Sequence, residues 1–208
     1  MKAIFLNYNT VQNLICFIFV HTTLALISFF KNERQKMKCL ILSEKDYLLY
    51  KEIRLKALQS DPIYFGSTYE EEAMKSDDYF KSKVKFSYKH FVMGFYDGTK
   101  LINVAVFKRQ TELKEAHKGE ITSIVCLKEY RNQGLTYSLL SLLIRKAFTI
   151  PNLKIIKLTC LAENNNAQNL YRKLGFRCYG EEPNSLFDGD KYYNENLWYL
   201  DYHSFNTR

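Results

Sequence analysis

No two cysteines form a CxxC pair anywhere in the 208-residue chain. The five that exist, Cys16, Cys39, Cys126, Cys160 and Cys178, are scattered and odd in number, which argues against a disulfide framework and against a cysteine-held zinc. The four histidines are equally dispersed and lack metal-ligand spacing, so no metal is expected. Internal repeats are absent, which sets aside solenoids and propellers, and so are low-complexity linkers. No stretch concentrates Lys and Arg among interleaved aromatics, so nucleic acid is not the expected partner despite a net charge of +8. That charge does suit a polyanionic ligand. What remains is a globular composition, 47% hydrophobic and 25% charged, at a length that fits one domain with a sizeable core. With 16 Tyr and 15 Phe, that core should be rich in aromatic rings. Cys39, Cys126 and Cys160 lie in apolar runs, where a cysteine packs as a small hydrophobe.

Residues 1–36 differ from the rest. The run 14–30 is strongly apolar and uncharged, at the short end of what a membrane span needs. Lys31, Arg34, Lys36 and Lys38 follow it and only Lys2 precedes it, so an anchor here would leave the remainder in the cytoplasm. Three readings stand: a start codon placed upstream of a true start at Met37, a membrane anchor, or a signal-like segment without a clear small-residue cleavage site. In each, the expected domain is 37–208; its expected location is cytoplasmic, with anchoring through the apolar run as the variant of that reading.

From Met37 the pattern becomes regular. Residues 37–42 read as a strand. Ser43 with Asp46 resembles a helix start, and Leu48, Leu49, Ile53, Leu55, Ala57 and Leu58 continue as an amphipathic helix that Asp61-Pro62 ends. A second helix should begin at Gly66-Ser67, with Glu70, Glu71 and Glu72 as a solvated acidic first turn. Residues 91–96 and 101–107 flank Asp97-Gly98 as a hairpin. A polar crossing at 112–118 follows. Strands are expected at 121–127 and Ile155–Leu161, and helices at Leu135–Phe148 and Asn165–Leu174, the last stopped by Gly175. Residues 176–179 and 192–202 should close the sheet as an antiparallel pair across a loop at 183–190.

The chemistry concentrates between 119 and 143. A buried strand runs into the turn Arg131-Asn132-Gln133-Gly134, and an amphipathic helix begins at Leu135-Thr136. A glycine-bearing loop feeding a helix N-terminus leaves backbone N–H groups unpaired, and with the helix dipole these hold a phosphate. Gly134 permits close approach and Arg131 adds charge.

This loop resembles the acetyl-CoA loop of the GNAT superfamily of N-acetyltransferases, Arg/Gln-x-x-Gly-x-Gly/Ala. Arg131 and Gly134 fit, while Thr136 stands where the family has Gly or Ala. A second stretch, Asn164-Asn165-Asn166-Ala167-Gln168-Asn169-Leu170-Tyr171-Arg172-Lys173-Leu174-Gly175-Phe176, is similar to the family's N-x-x-A-x-x-L-Y-x-K-x-G-F. The resemblance spans about residues 37–208. It implies an α/β (α+β) fold, with a mixed, mostly antiparallel central sheet, one splayed parallel strand pair, and helices on both faces. It also implies an acetyl-CoA-dependent N-acetyltransferase acting on a primary amine; a catalytically silent module that binds CoA or a protein is the alternative. In such a site a backbone N–H among Val125, Cys126 and Leu127 would hold the acetyl carbonyl, and residues 131–136 the pyrophosphate. Asn164 and Ala167 would lie along the pantetheine arm. Tyr171 would protonate the leaving thiolate. Glu120, in a partly apolar strand, would serve as general base, and His117 is a weaker candidate. Nothing in the sequence selects the acceptor or the oligomeric state.

Overall fold

The computed structural model describes residues 37–206. The apolar run at 14–30 lies outside them. Strand β1, Met37–Ile41, leads to a 3-10 turn in which the Ser43 N–H donates to the Asp46 carboxylate at 2.8 Å. Helix α1, Tyr47–Ser60, follows and stops before Pro62, which offers no N–H to continue it. Next come two short helices, α2 (Tyr69–Ala73) and α3 (Asp77–Val84), where one was expected. Thr68 caps α2 in a reciprocal pair with Glu71, and Ser76 caps α3 through the Tyr79 N–H. The hairpin β2 (His90–Asp97) and β3 (Lys100–Arg109) turns at Gly98, whose φ of +60° suits a two-residue loop. Then follow β4 (Lys118–Cys126), α4 (Leu135–Phe148), β5 (Ile155–Leu161), α5 (Asn165–Leu174), β6 (Arg177–Phe187), β7 (Tyr192–Asp201) and a final turn, α6 (Tyr202–Asn206).

The strands form one sheet in the order β1-β2-β3-β4-β5-β7-β6, with β4 and β5 parallel and each pairing from β2–β3 through β7–β6 otherwise antiparallel. β3 is buried from Leu101 to Phe107, because side chains leave a strand on alternate faces and both faces are covered here. On one face Ala105 and Phe107 meet Leu139, Leu140 and Leu143 of α4. The same layer continues through Tyr171 and Leu174 of α5 to Trp198 and Leu200 of β7. α1 covers the other face against β3 and β4.

Two segments differ from expectation. β6 runs on to Phe187, through Pro183, where a loop was expected. It is the edge strand of the sheet, so a missing N–H is tolerated, and its register slips between Glu182 and Leu186. Glu72 is not solvated: it is 7% exposed and paired with Arg54 of α1.

Candidate active site

The parallel pairing of β4 with β5 lasts only from Lys118↔Ile155 to Glu120↔Lys157. Beyond it the strands part. The cause lies on the other edge of β4: Val125 pairs with Val104 and Thr122 with Val106, so Ser123 and Ile124 together oppose the single residue Ala105. Such a bulge bends and twists its strand. Ser123 carries a φ of +50°, a strained value for a residue with a side chain. The buried Tyr50 of α1 lies beside Ser123 on that face. Burial pushes the Tyr50 phenol up to about 12, so this contact is made by a neutral group.

A cleft of about 1120 Å³ occupies the gap. Its walls include 121–126 of β4, Thr159–Leu161 of β5, the loop and first turn of α4, and the start and inner face of α5. Tyr64, Phe65 and Gly66 close it on the α1 side with Leu186 of β6. A smaller polar cavity of about 400 Å³ shares Arg54 and Ser123 with it.

Gly134 is the N-cap of α4 at φ +75°, a conformation that glycine adopts without strain. A Cβ added there would meet nothing within 4 Å, so the approach to the helix N-terminus is open. No side chain caps this terminus, and the first intrahelical bond is Ser138 N–H to the Gly134 carbonyl. The N–H groups of Leu135, Thr136 and Tyr137 are therefore the orphan donors of the first turn. Asn132 takes a left-handed φ of +61° that shapes the loop. Open backbone donors of this kind at a helix N-terminus suit an anion.

Several side chains of the loop and of β4 have partners of their own within the protein. The Arg131 guanidinium is engaged: Nε donates to the Cys126 carbonyl at 3.0 Å and Nη2 pairs with Asp61 at 2.7 Å. It ties the loop to β4 and to the end of α1. Thr136 turns its hydroxyl inward to accept from Asn103 Nδ2 at 2.9 Å. Its β-branched side chain is thus held against the sheet. Asn103 is fully buried on β3, and a lone amide in the run LINVAVF was the visible signal for it. Leu127 and Gln133 do not line the cleft. The Leu127 N–H is bonded to the Ile102 carbonyl, and Gln133 Nε2 to the Glu129 carbonyl. Val125 and Cys126 do line it.

Asn164 caps α5 by accepting the Ala167 N–H at 3.1 Å, and both residues face the cleft. Tyr171 reaches the same cleft from one turn further on, packed at 6.0 Å between Phe176 and Trp198. Burial raises its phenol well above the ordinary range, with Cys160 and Glu195 adding to the effect. Glu120 stands apart: it is in register with Lys108 and Lys157, on the still-paired part of β4, and is not part of the cleft wall. His117 lies before β4, its carbonyl accepting from Lys154 and Ile155. Cys126 and Cys160 both line the cleft. Burial raises both thiols, Cys160 to about 11, which keeps them protonated and poor nucleophiles.

A splayed parallel pair, an open helix N-terminus and a buried tyrosine in one cleft define a class of acyl-transferring fold, and comparison with known proteins agrees. Residues 55–176 match the profile of the acetyltransferase (GNAT) family. The spermidine N(1)-acetyltransferase of Escherichia coli K12 is 31% identical over 131 residues, 63% of this chain and 68% of that one. Among solved structures, a GNAT-family acetyltransferase from Streptococcus pneumoniae superposes with a TM-score of 0.67 at 20% identity, covering 79% of this chain and 99% of that one. The spermidine N-acetyltransferase of Vibrio cholerae, solved with CoA and spermine, gives 0.66 at 19%, covering 83% and 99%. The chain belongs to the acetyltransferase (GNAT) family, as an N-acetyltransferase that uses acetyl-CoA as cosubstrate.

Proposed function

We propose that the chain acetylates the primary amine of a small aliphatic polyamine, with acetyl-CoA lying along the β4–β5 gap. The observation that carries this reading is the gap itself. It joins an uncapped helix N-terminus, suited to phosphates, to a buried phenol suited to a leaving thiolate. In this arrangement the N–H groups of Leu135, Thr136 and Tyr137 bind the pyrophosphate, and Gly134 leaves room for it. The edge of β4 at Val125–Cys126, no longer paired with β5, offers backbone groups to the acetyl arm. Asn164 and Ala167 flank that arm, and Tyr171 gives its proton to sulfur as the C–S bond breaks. Because both cleft thiols stay protonated, transfer is direct and passes through no acetyl-cysteine.

The polyamine class is supported by the Escherichia coli relative, whose name specifies spermidine. We place the domain, residues 37–208, in the cytoplasm, on the strength of the cations that follow the apolar run. Thiol release from acetyl-CoA against spermidine, spermine, an aminoglycoside and a lysine peptide tests the acceptor. Turnover on the polyamines at least about tenfold above the other amines is expected. Equal rates on all four, or none on polyamines, would remove the polyamine reading.

A further inference from the structure

Two carboxylates line the main cleft, Asp61 and Glu195. They are in different states. Asp61 is engaged by both terminal nitrogens of Arg131, at 2.7 and 3.3 Å, and that hydrogen bonding holds its carboxyl below the usual carboxylate range. Glu195 has no such cation among the described residues. Two neutral hydroxyls hold it instead: Thr159 Oγ1 donates to Oε1 at 3.1 Å and Ser185 Oγ to Oε2 at 2.7 Å. Those donors come from β5 and β6, on either side of β7, so the carboxylate is aimed by three strands at once.

Its place on the sheet matters. Glu195 pairs with Leu161, the last residue of β5, beyond the point where β4 and β5 part. Alternation along β7 puts Trp198 and Leu200 on the α5 side, with Tyr171, and Glu195 with Leu197 on the α1 side. Tyr171 and Glu195 thus flank the gap from opposite faces. Each is near enough to feel the other, since the Glu195 charge helps to raise the Tyr171 phenol after burial and Cys160. Glu120, the sequence's candidate for the base, is not among the residues that line this space.

The geometry points to Glu195 as the general base of acetyl transfer, receiving the acceptor amine from the α1 side. The inference rests on the amine-acetylating reading above. The acceptor reaches its reactive neutral form by losing a proton to solvent. Its lone pair then forms the N–C bond while the carbonyl π pair moves to oxygen. As that bond forms, the nitrogen turns acidic and its second proton passes to the Glu195 carboxylate. Collapse breaks the C–S bond, the electron pair leaves with sulfur, and sulfur takes the Tyr171 proton. Glu195 and Tyr171 then return to their starting states by exchange with water. Amide, free CoA thiol and one solvent proton per ammonium consumed complete the balance.

The test is steady-state kinetics of Glu195→Gln in the full chain on the best amine of the panel. The amide carbonyl still accepts from one of the two hydroxyls and its NH2 donates to the other, which can turn to accept, but the side chain takes no proton. Turnover at saturating substrates should fall by roughly 10²–10⁴-fold, with the KM for acetyl-CoA unchanged. Turnover within twofold of wild type would overturn the assignment. If Glu195→Gln does not fold, Glu195→Asp decides. It keeps the charge on a shorter reach and should lose about tenfold or more in turnover, and an equal rate would overturn the proposal. A wild type inactive on every amine would sink the reading beneath it, and Glu195 as its base with it. That outcome is distinct from an active wild type matched by its Glu195→Gln variant.

Discussion

Tyr171 and Gly134 stand at different points of one cleft, and changes at each should fail in different ways. Tyr171→Phe removes only a hydroxyl and leaves the ring against Phe176 and Trp198. Turnover should drop by roughly 10²–10⁴-fold while CoA affinity, measured by calorimetry, stays level. Unchanged turnover would make Tyr171 a packing residue. Because burial raises this phenol above its usual value, the hydroxyl stays protonated at least to pH about 10, and the rate should not decline below that on its account. Gly134→Val acts on binding. It places a branched residue at φ +75° and fills the open approach to the first turn of α4. CoA affinity should weaken by at least about tenfold, which is ~1.4 kcal/mol. Cys160→Ala should leave turnover within about tenfold of wild type, since a thiol held up to about 11 is no nucleophile. Loss of all activity would instead indicate a covalent intermediate. Of these residues, Tyr171, Asn164 and Gly134 were legible because each belongs to a local motif of fixed spacing. The placement of Asn103 and Glu195 was not, although a lone amide in an apolar run marked Asn103 as unusual. They come from β3 and β7, and only the sheet brings them to the loop and to the gap.

At the scale of elements, the α1–α2 junction depends on one buried ion pair. Arg54 Nη2 meets Glu72 Oε1 at 2.7 Å, Nε bridges both carboxylate oxygens, and Ser67 joins at 2.7 Å. The Phe65 ring lies 4.7 Å from the guanidinium. This junction carries Tyr64, Phe65 and Gly66, which wall the α1 side of the cleft. Removing one partner strands the other's charge, so Glu72→Gln should destabilise the fold by ~3–5 kcal/mol in chemical denaturation. A loss under about 1 kcal/mol would show the pair to be well solvated. Burial disfavours the charged Glu72, but hydrogen bonds from Arg54 and Ser67 outweigh it and lower its pKa below 4.5. The pair's contribution is therefore full above that value. It is lost as pH falls from there through the lowered folded pKa. The sequence hid this pair because three consecutive glutamates at a helix start read as a dipole-complementing solvated turn. It hid α3 as well, although Ser76 with Asp77 and Asp78 carried a cap signal. The strand, loop and helix at 119–148 were plain, since their periodicity switches from two to 3.6 within a few residues.

For the whole molecule, the sheet, both covering layers and the cleft are drawn, among the described residues, from Met37 onward. Among the described residues the first fully buried apolar side chain is Leu42, and the core cluster begins at Phe91. Among these described residues no helix is long and apolar enough to cross a membrane. The domain's order of strands could be anticipated from hydropathy, but the insertion of β7 between β5 and β6 could not, because pairing across that edge is set by register and not by local pattern. If the layers are self-sufficient, residues 37–208 should fold and work without 1–36. The truncated chain should unfold in a single cooperative transition by circular dichroism, as expected of one core. Its affinity for CoA should match that of the full chain within about twofold, because every group proposed to touch the cosubstrate is retained. A truncated chain that is insoluble, or that binds CoA more than about tenfold less tightly while the full chain is well behaved, would show that residues 1–36 supply part of the core or of the site.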